Sequence, residues 1–340
     1  MNKIALMLVG SIIALGILLQ QMVGFGEVWG VLSGLHPVFI PFILFLPFSV
    51  IIAYSFRWKI LLQSVDVDVK HSVVFKYALL GTVFNNLTPM VRFGGEPVKG
   101  YMLSKKISAP KRKIFASLAM DSLITLISLI GLVYLSAVSL AMLSIFDWFT
   151  LWMILTVVLV PLTIGLYTLY DERALVYVAW KISGLLKRFR VKSAKGLPHE
   201  MLRFRDNMKR SFRRKELMGK SLLIAAFERS IEVVTIYIIF NALGVNIDIY
   251  TCAVVLGVGI MAGNVPLLPG GILAYESSTI LVLGMLGVPF AQAASGILLW
   301  RFASYWVVTI VGITASWIYG IKFSFKKENT FKAGVSRLIS

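Results

Sequence analysis

The thirty residues 114–143 carry a single charged side chain, Asp121. A run of that length and polarity exceeds the roughly 20 residues that cross a hydrocarbon core about 30 Å thick. A chain in lipid must satisfy its backbone polar groups internally, which leaves helices or a closed barrel. Residues 4–22, 38–62, 150–170, 221–243 and 291–319 are comparable apolar runs. Hydrophobic residues make up 58% of the 340, and the mean hydropathy is +0.83, whereas soluble domains are about 45–50% apolar. The expectation is an all-α polytopic membrane protein with about six full spans. The first run, behind Lys3, is followed by no small-x-small cleavage site and reads as a retained anchor.

Two polar breaks interrupt this pattern. The first is Asn85-Asn86-Leu87-Thr88-Pro89-Met90-Val91-Arg92-Phe93-Gly94-Gly95-Glu96-Pro97; the second is Asn264-Val265-Pro266-Leu267-Leu268-Pro269-Gly270-Gly271, with Glu276 just beyond. Non-helical backbone at membrane depth survives only where it is buried in protein or lines a wet cavity. The return leg at 97–104 spans only about 12 Å as helix, too short for a crossing. It then meets Lys105, Lys106, Lys111, Arg112 and Lys113. A re-entrant helical hairpin keeps those charges out of the membrane, and the two arms of residues 250–290 read as a second hairpin.

The net charge of +18 is placed unevenly: residues 171–220 hold fifteen of the 34 Lys and Arg, and 97–113 hold six more. A cytoplasmic surface facing anionic lipid accounts for this without nucleic acid. Apolar residues interleave with the charges of 171–220, so this segment is either a loop of surface helices or a dedicated anionic-lipid dock. Residues 24–37, 144–149 and 244–290 lack Lys and Arg altogether and are expected outside. Both termini are then cytoplasmic in the plasma membrane, the first hairpin opens inward and the second outward. Arg57-Trp58-Lys59 reads as the basic and aromatic cytoplasmic end of its span. One Cys252 and three scattered histidines (His36, His71, His199) point to no disulfide, no metal site and no cofactor. No Ser-His-Asp order or P-loop occurs, so no catalytic residue is assigned and the chain is expected not to be an enzyme.

Asp68 and Asp248, Glu96 and Glu276, and Asp121 and Arg301 each stand 180 positions apart. Together with opposite hairpin orientations, this reads as an inverted-topology repeat, a transporter architecture. Residues 38–143 form the first copy and 221–320 the second. A single integral membrane domain over 1–322 and a basic cytoplasmic tail over 323–340 complete the expected organisation.

Arg57-Trp58-Lys59-Ile60-Leu61-Leu62, the first break, Glu228-Arg229 and Pro266-Leu267-Leu268-Pro269-Gly270-Gly271 together resemble the flippase-like membrane region of lysylphosphatidylglycerol synthases and its stand-alone relatives, over about residues 1–322. The resemblance implies the lipid-translocating or lipid-handling part, without the soluble aminoacyl-transfer domain. Some relatives are linked to glycosyl transfer or to polyprenyl-phosphate sugars, so it does not fix one lipid. The expected activity is that of a flippase or scramblase for an anionic-headgroup lipid, either a phospholipid or a polyprenyl-phosphate-linked sugar. The alternatives are a lipid-acceptor-binding accessory of a separate glycosyl- or aminoacyl-transferase, and a small-solute or ion transporter.

The candidate headgroup residues are Asn85, Asn86, Arg92, Gly94, Gly95, Glu96, Asn264, Pro269, Gly270, Gly271 and Glu276. Arg92 beside the Gly94-Gly95 pair, ahead of a helix starting near Pro97, either grips a phosphate in two-point fashion or neutralises Glu96 or Asp121. Gly270-Gly271 is either an outer half-site or a tight turn, and the three asparagines either contact a headgroup or cap broken helices. Asp121, Glu228, Arg229, Glu232 and Arg301 form the candidate intramembrane charge set. Glu228 and Glu232 lie four apart on one helix face, and either bind a proton, cation or amino headgroup or join a fixed network with Arg229, Arg301 or Arg92. Asp121 and Arg301 are expected to pair across the repeat.

Overall fold

In a computed structural model of the chain, residues 3–22, 24–88, 95–142, 197–264 and 269–318 are described, with Thr163, Asp171, Arg173 and Tyr177 singly between them. The span expected at 150–170, apart from Thr163, the turn at 144–149 and the tail lie outside the described residues, as do Arg92 and Gly94. Among the described residues every regular element is helical.

Helix α1 (Lys3–Met22) turns through 91° at Gly24, where φ is +88°, into the short α2 (Phe25–Ser33). Helix α3 (Ile40–Ser64) takes Pro41 into its first turn, where no N–H is missed, and buries Pro47 inside. Then come α4 (His71–Leu87), α5 (Gly95–Ile107) and the 32-residue α6 (Lys111–Met142). The basic helix α7 (Leu197–Arg213) precedes α8 (Lys215–Ala242), α9 (Ile249–Gly263) and a 3-10 turn (Pro269–Gly271). Helix α10 (Ala274–Met285) leads to α11 (Phe290–Arg301), which runs through a π-helical turn (Phe302–Val307) into α12 (Val308–Ile318).

Three helical stretches among the described residues, Pro37–Ser64, Lys111–Val138 and Phe290–Ile318, are long and apolar enough to cross a membrane, or four if the bent α1–α2 pair is one span. This is an all-helical membrane protein. Helix α8 is as long but carries Glu228, Arg229 and Glu232 in its middle.

The element order long helix, short helix, break, short helix, long helix runs twice, as α3–α4–α5–α6 and as α8–α9–α10–α11/α12. Each half gathers its own apolar core. One is built around Trp58, Leu61, Leu80, Leu103 and Ile114, the other around Ile236, Phe240, Val255, Ile280 and Ile297. The halves also interlock. Helix α3 lies along α8, α4 packs on α12, and α9 packs on α6. Small residues permit the close crossings, as expected where apolar area cannot drive association in lipid. A Cβ on Gly312 of α12 would come within 2.3 Å of Val83 in α4, and one on Gly257 of α9 within 3.0 Å of the Ser136 hydroxyl in α6.

Helix α7 docks across the ends of α3 and α6. Ser211 and Ser64 share a buried hydrogen bond of 2.8 Å, and Arg210 and Arg214 both pair with Asp66 in the α3–α4 loop.

Candidate functional site

The polar interior is built from two clusters, one in each half. In the first, Tyr54, Arg57 and Trp58 project from neighbouring positions of α3, as spacings of three and four require. Arg57 is 1% exposed. It pairs with Asp121 of α6 at 3.2 Å and with Glu228 of α8 at 3.0 Å, and donates to the Thr125 hydroxyl at 3.0 Å. Lys99 of α5, also 1% exposed, lies 2.8 Å from the Glu96 carboxylate one turn earlier. Its ammonium stands 4.7 Å from the ring centres of both Tyr54 and Trp58 and donates to the Tyr54 hydroxyl. Its stem crosses Gly81 of α4, where an added Cβ would fall 2.7 Å from Lys99 Cδ. Two cations thus meet three carboxylates, Glu96, Asp121 and Glu228. A desolvated charge is tolerated only when so paired.

In the second cluster Arg301, at the end of α11, pairs with Glu276 of α10 at 2.6 Å and donates to the Gly270 carbonyl at 2.9 Å. The rings of Tyr275 and Tyr305 flank its guanidinium at 4.8 and 4.5 Å. The other Glu276 oxygen accepts the Leu273 N–H at 2.7 Å, which caps α10. Leu273 has a φ of +78°, a conformation a bulky residue holds only when its surroundings enforce it. Gly270 and Gly271 also have positive φ, +63° and +66°. A Cβ on Gly271 would sit 2.5 Å from the Gly263 carbonyl oxygen, so only glycine fits this crossing.

The first break is bound tightly as well. Asn85 accepts the Gly95 N–H at 2.9 Å, joining the end of α4 to the start of α5, and a Cβ on Gly95 would fall 2.0 Å from the Gly81 carbonyl oxygen. Asn86 donates to the Thr309 hydroxyl at 2.8 Å, and its carbonyl accepts from the Tyr305 hydroxyl at 2.8 Å. Asn264 forms the C-terminal cap of α9. Arg229 and Glu232 pair with each other at 2.5 Å, one turn apart on α8.

Three sequence expectations change here. Asp121 and Arg301 are not partners: Asp121 receives Arg57 and Arg301 receives Glu276, because a nearer opposite charge lies within each half. Arg57 and Trp58 are fully buried rather than part of an interfacial end, and Lys99 belongs to the interior rather than the basic surface. The sequence did not mark Tyr54, Arg57, Trp58, Lys99, Thr125, Tyr275 and Tyr305 as members of the site. Two signals were available, the lone Lys99 in an otherwise uncharged stretch and Tyr275 directly before Glu276. Among the described residues no cluster of His, Cys, Asp and Glu suits a metal ion.

These features define a helical membrane protein with paired ionisable residues buried in its interior. The chain belongs to the lysylphosphatidylglycerol synthase TM region family, which it matches over residues 4–312. This membership ties it to a membrane, lipid-related role. It is 28% identical, over 96% of its length and 98% of the relative's, to a UPF0104 membrane protein of Methanothermobacter thermautotrophicus. A second such protein of that organism is 24% identical over 87% of this chain and 88% of its own. One of Methanocaldococcus jannaschii is 23% identical over 91% and 93%.

Proposed function

We propose that this protein carries a lipid with an anionic headgroup between leaflets, the headgroup travelling along the polar interior between the two breaks while its chains stay in the bilayer. The observation that carries this reading is the convergence of the breaks: the end of α4 and the Gly270 turn meet at Tyr305, beside the Arg301–Glu276 pair. Ionisable groups at membrane depth are costly and mark substrate paths. The two breaks belong to re-entrant hairpins of an inverted repeat, within about six spans, with both termini cytoplasmic in the plasma membrane. Arg92 supplies the phosphate contact on the first break. The chain acts as a transporter, not an enzyme.

Reconstitution into vesicles holding a fluorescent anionic phospholipid tests this directly. The protein is expected to bring inner-leaflet probe within reach of an external quencher, and Arg92→Lys, which keeps charge but loses the planar fork, to slow that movement while the protein stays folded. Vesicles with no faster exchange than protein-free ones would refute the reading. Cysteines placed at Ser193 and Asn246 in a Cys252-free variant should label from opposite membrane sides; labelling from one side would remove the inverted repeat.

A further inference from the structure

We infer that Tyr305 is the positioning residue that ties the end of α4 to the Gly270 turn, so that neither shifts without a change at the other. It sits on the π-helical turn Phe302–Val307. Such turns, rare in helices and frequent at functional sites, insert a residue and re-aim the side chains that follow. Tyr305 is 3% exposed and touches both breaks. Its hydroxyl donates to the Asn86 carbonyl at 2.8 Å, in the last turn of α4, where the first break begins. Its ring fills the space over the second: a Cβ on Gly270 would come within 2.2 Å of it, and the Arg301 guanidinium stacks on it at 4.5 Å. Thr309, one turn on, donates to the Tyr305 carbonyl at 2.6 Å and receives the Asn86 side-chain amide at 2.8 Å. A displacement of Gly270 or Arg301 therefore moves the ring and stretches the hydroxyl's bond to the first break. The equivalent place in the first half, 180 positions earlier, is Thr125 on an uninterrupted helix. It holds Arg57 and has no such reach. The side chain that reaches across is thus supplied by the second half only.

This inference rests on the reading that the breaks line the lipid path, but its test does not need lipid to move. A reporter cysteine at Thr88, in the first break just after α4, is placed in a Cys252→Ala background and its maleimide labelling rate followed; Asn246→Cys is the distant control. Tyr305→Phe should raise the Thr88 rate about fivefold, the equilibrium worth of one net hydrogen bond, and leave the control unchanged. Gly270→Ala and Arg301→Lys perturb the second break. Each should raise the Thr88 rate when Tyr305 is present and add nothing to Y305F. Where Gly270→Ala fails to fold, because its φ is positive, Arg301→Lys alone decides. Equal effects with and without the hydroxyl, a Thr88 rate unmoved by Y305F, or a parallel rise at the control would each overturn the link.

Discussion

Asp121 in α6 and Arg301 in α11 occupy equivalent places, each followed four residues later by a second polar residue, Thr125 and Tyr305. In the first half this pair receives a guanidinium from elsewhere: Arg57 arrives from α3 and is shared by Asp121, Thr125 and, from the second half, Glu228. In the second half the long helix supplies its own guanidinium, which turns toward the adjacent hairpin and Glu276. The glutamate after each break also finds its cation differently. Glu96 takes Lys99 from its own helix, and Glu276 takes Arg301 from the next one. Both cations end between two aromatic rings, where attraction to the ring faces supplements the ion pair. One plan of positions thus yields a fixed three-helix knot in one half and a hairpin clasp in the other.

That contrast fails most visibly if Arg57 is dispensable. Arg57→Met strands two buried carboxylates and should cost about 3–5 kcal/mol, read as lost folded yield and a lower thermal midpoint in detergent. Arg301→Met strands one and should cost less; an equal or larger loss would erase the distinction.

The next test removes partners together. Glu276→Gln with Arg301→Met deletes a self-contained pair, so the double variant should recover much of what either single loses, since uncharged replacement of a buried pair is often near neutral. Asp121→Asn with Arg57→Met leaves Glu228 unmatched and should recover little. Recovery in both halves, or in neither, would mean the two networks are alike.

Interlocking through small residues should matter less than charge, and unequally. Gly312→Ala places a Cβ 2.3 Å from Val83 and should cost about 1–3 kcal/mol by overpacking. Gly257→Ala meets only the Ser136 hydroxyl at 3.0 Å and should shift the thermal midpoint less. The reverse order would put the tighter crossing at α9–α6.

The smallest effect belongs to Asp66, where α7 is tied to the first half. The hydrogen bond from Arg214 holds its carboxyl below the usual range. A depressed carboxylate stabilises above its unfolded value of about 4 and loses that contribution as pH falls through the folded one. The ion pair is solvent-exposed, so Asp66→Asn should cost no more than about 1 kcal/mol at neutral pH. It should also flatten the drop in thermal midpoint between neutral and acid pH. An unchanged acid profile would show that the Asp66 ion pairs do not help to hold α7.

The sequence by itself determined the solvent of this chain and the places where its helices break. Apolar runs such as 114–143 leave only helix as a solution in lipid. Gly94, Gly95, Gly270 and Gly271, with their flanking prolines and amides, mark the breaks between helices. Glu96, Glu276, Asp121 and Arg301 stood out because a charge in such a run is conspicuous. Their partners did not, because pairing depends on which helices become neighbours, and the sequence carries spacing along a helix but not the rotation of one helix against another. Equal spacing suggested Asp121 with Arg301; the packing of α3 along α8 instead delivered Arg57 to Asp121 and Glu228. Arg57 and Lys99 look like surface cations until the fold closes over them, since an aromatic neighbour such as Trp58 suits an interface and a buried cage equally well. The π-helical turn that aims Tyr305 was likewise decided in three dimensions, because a one-residue widening leaves no mark on an apolar run.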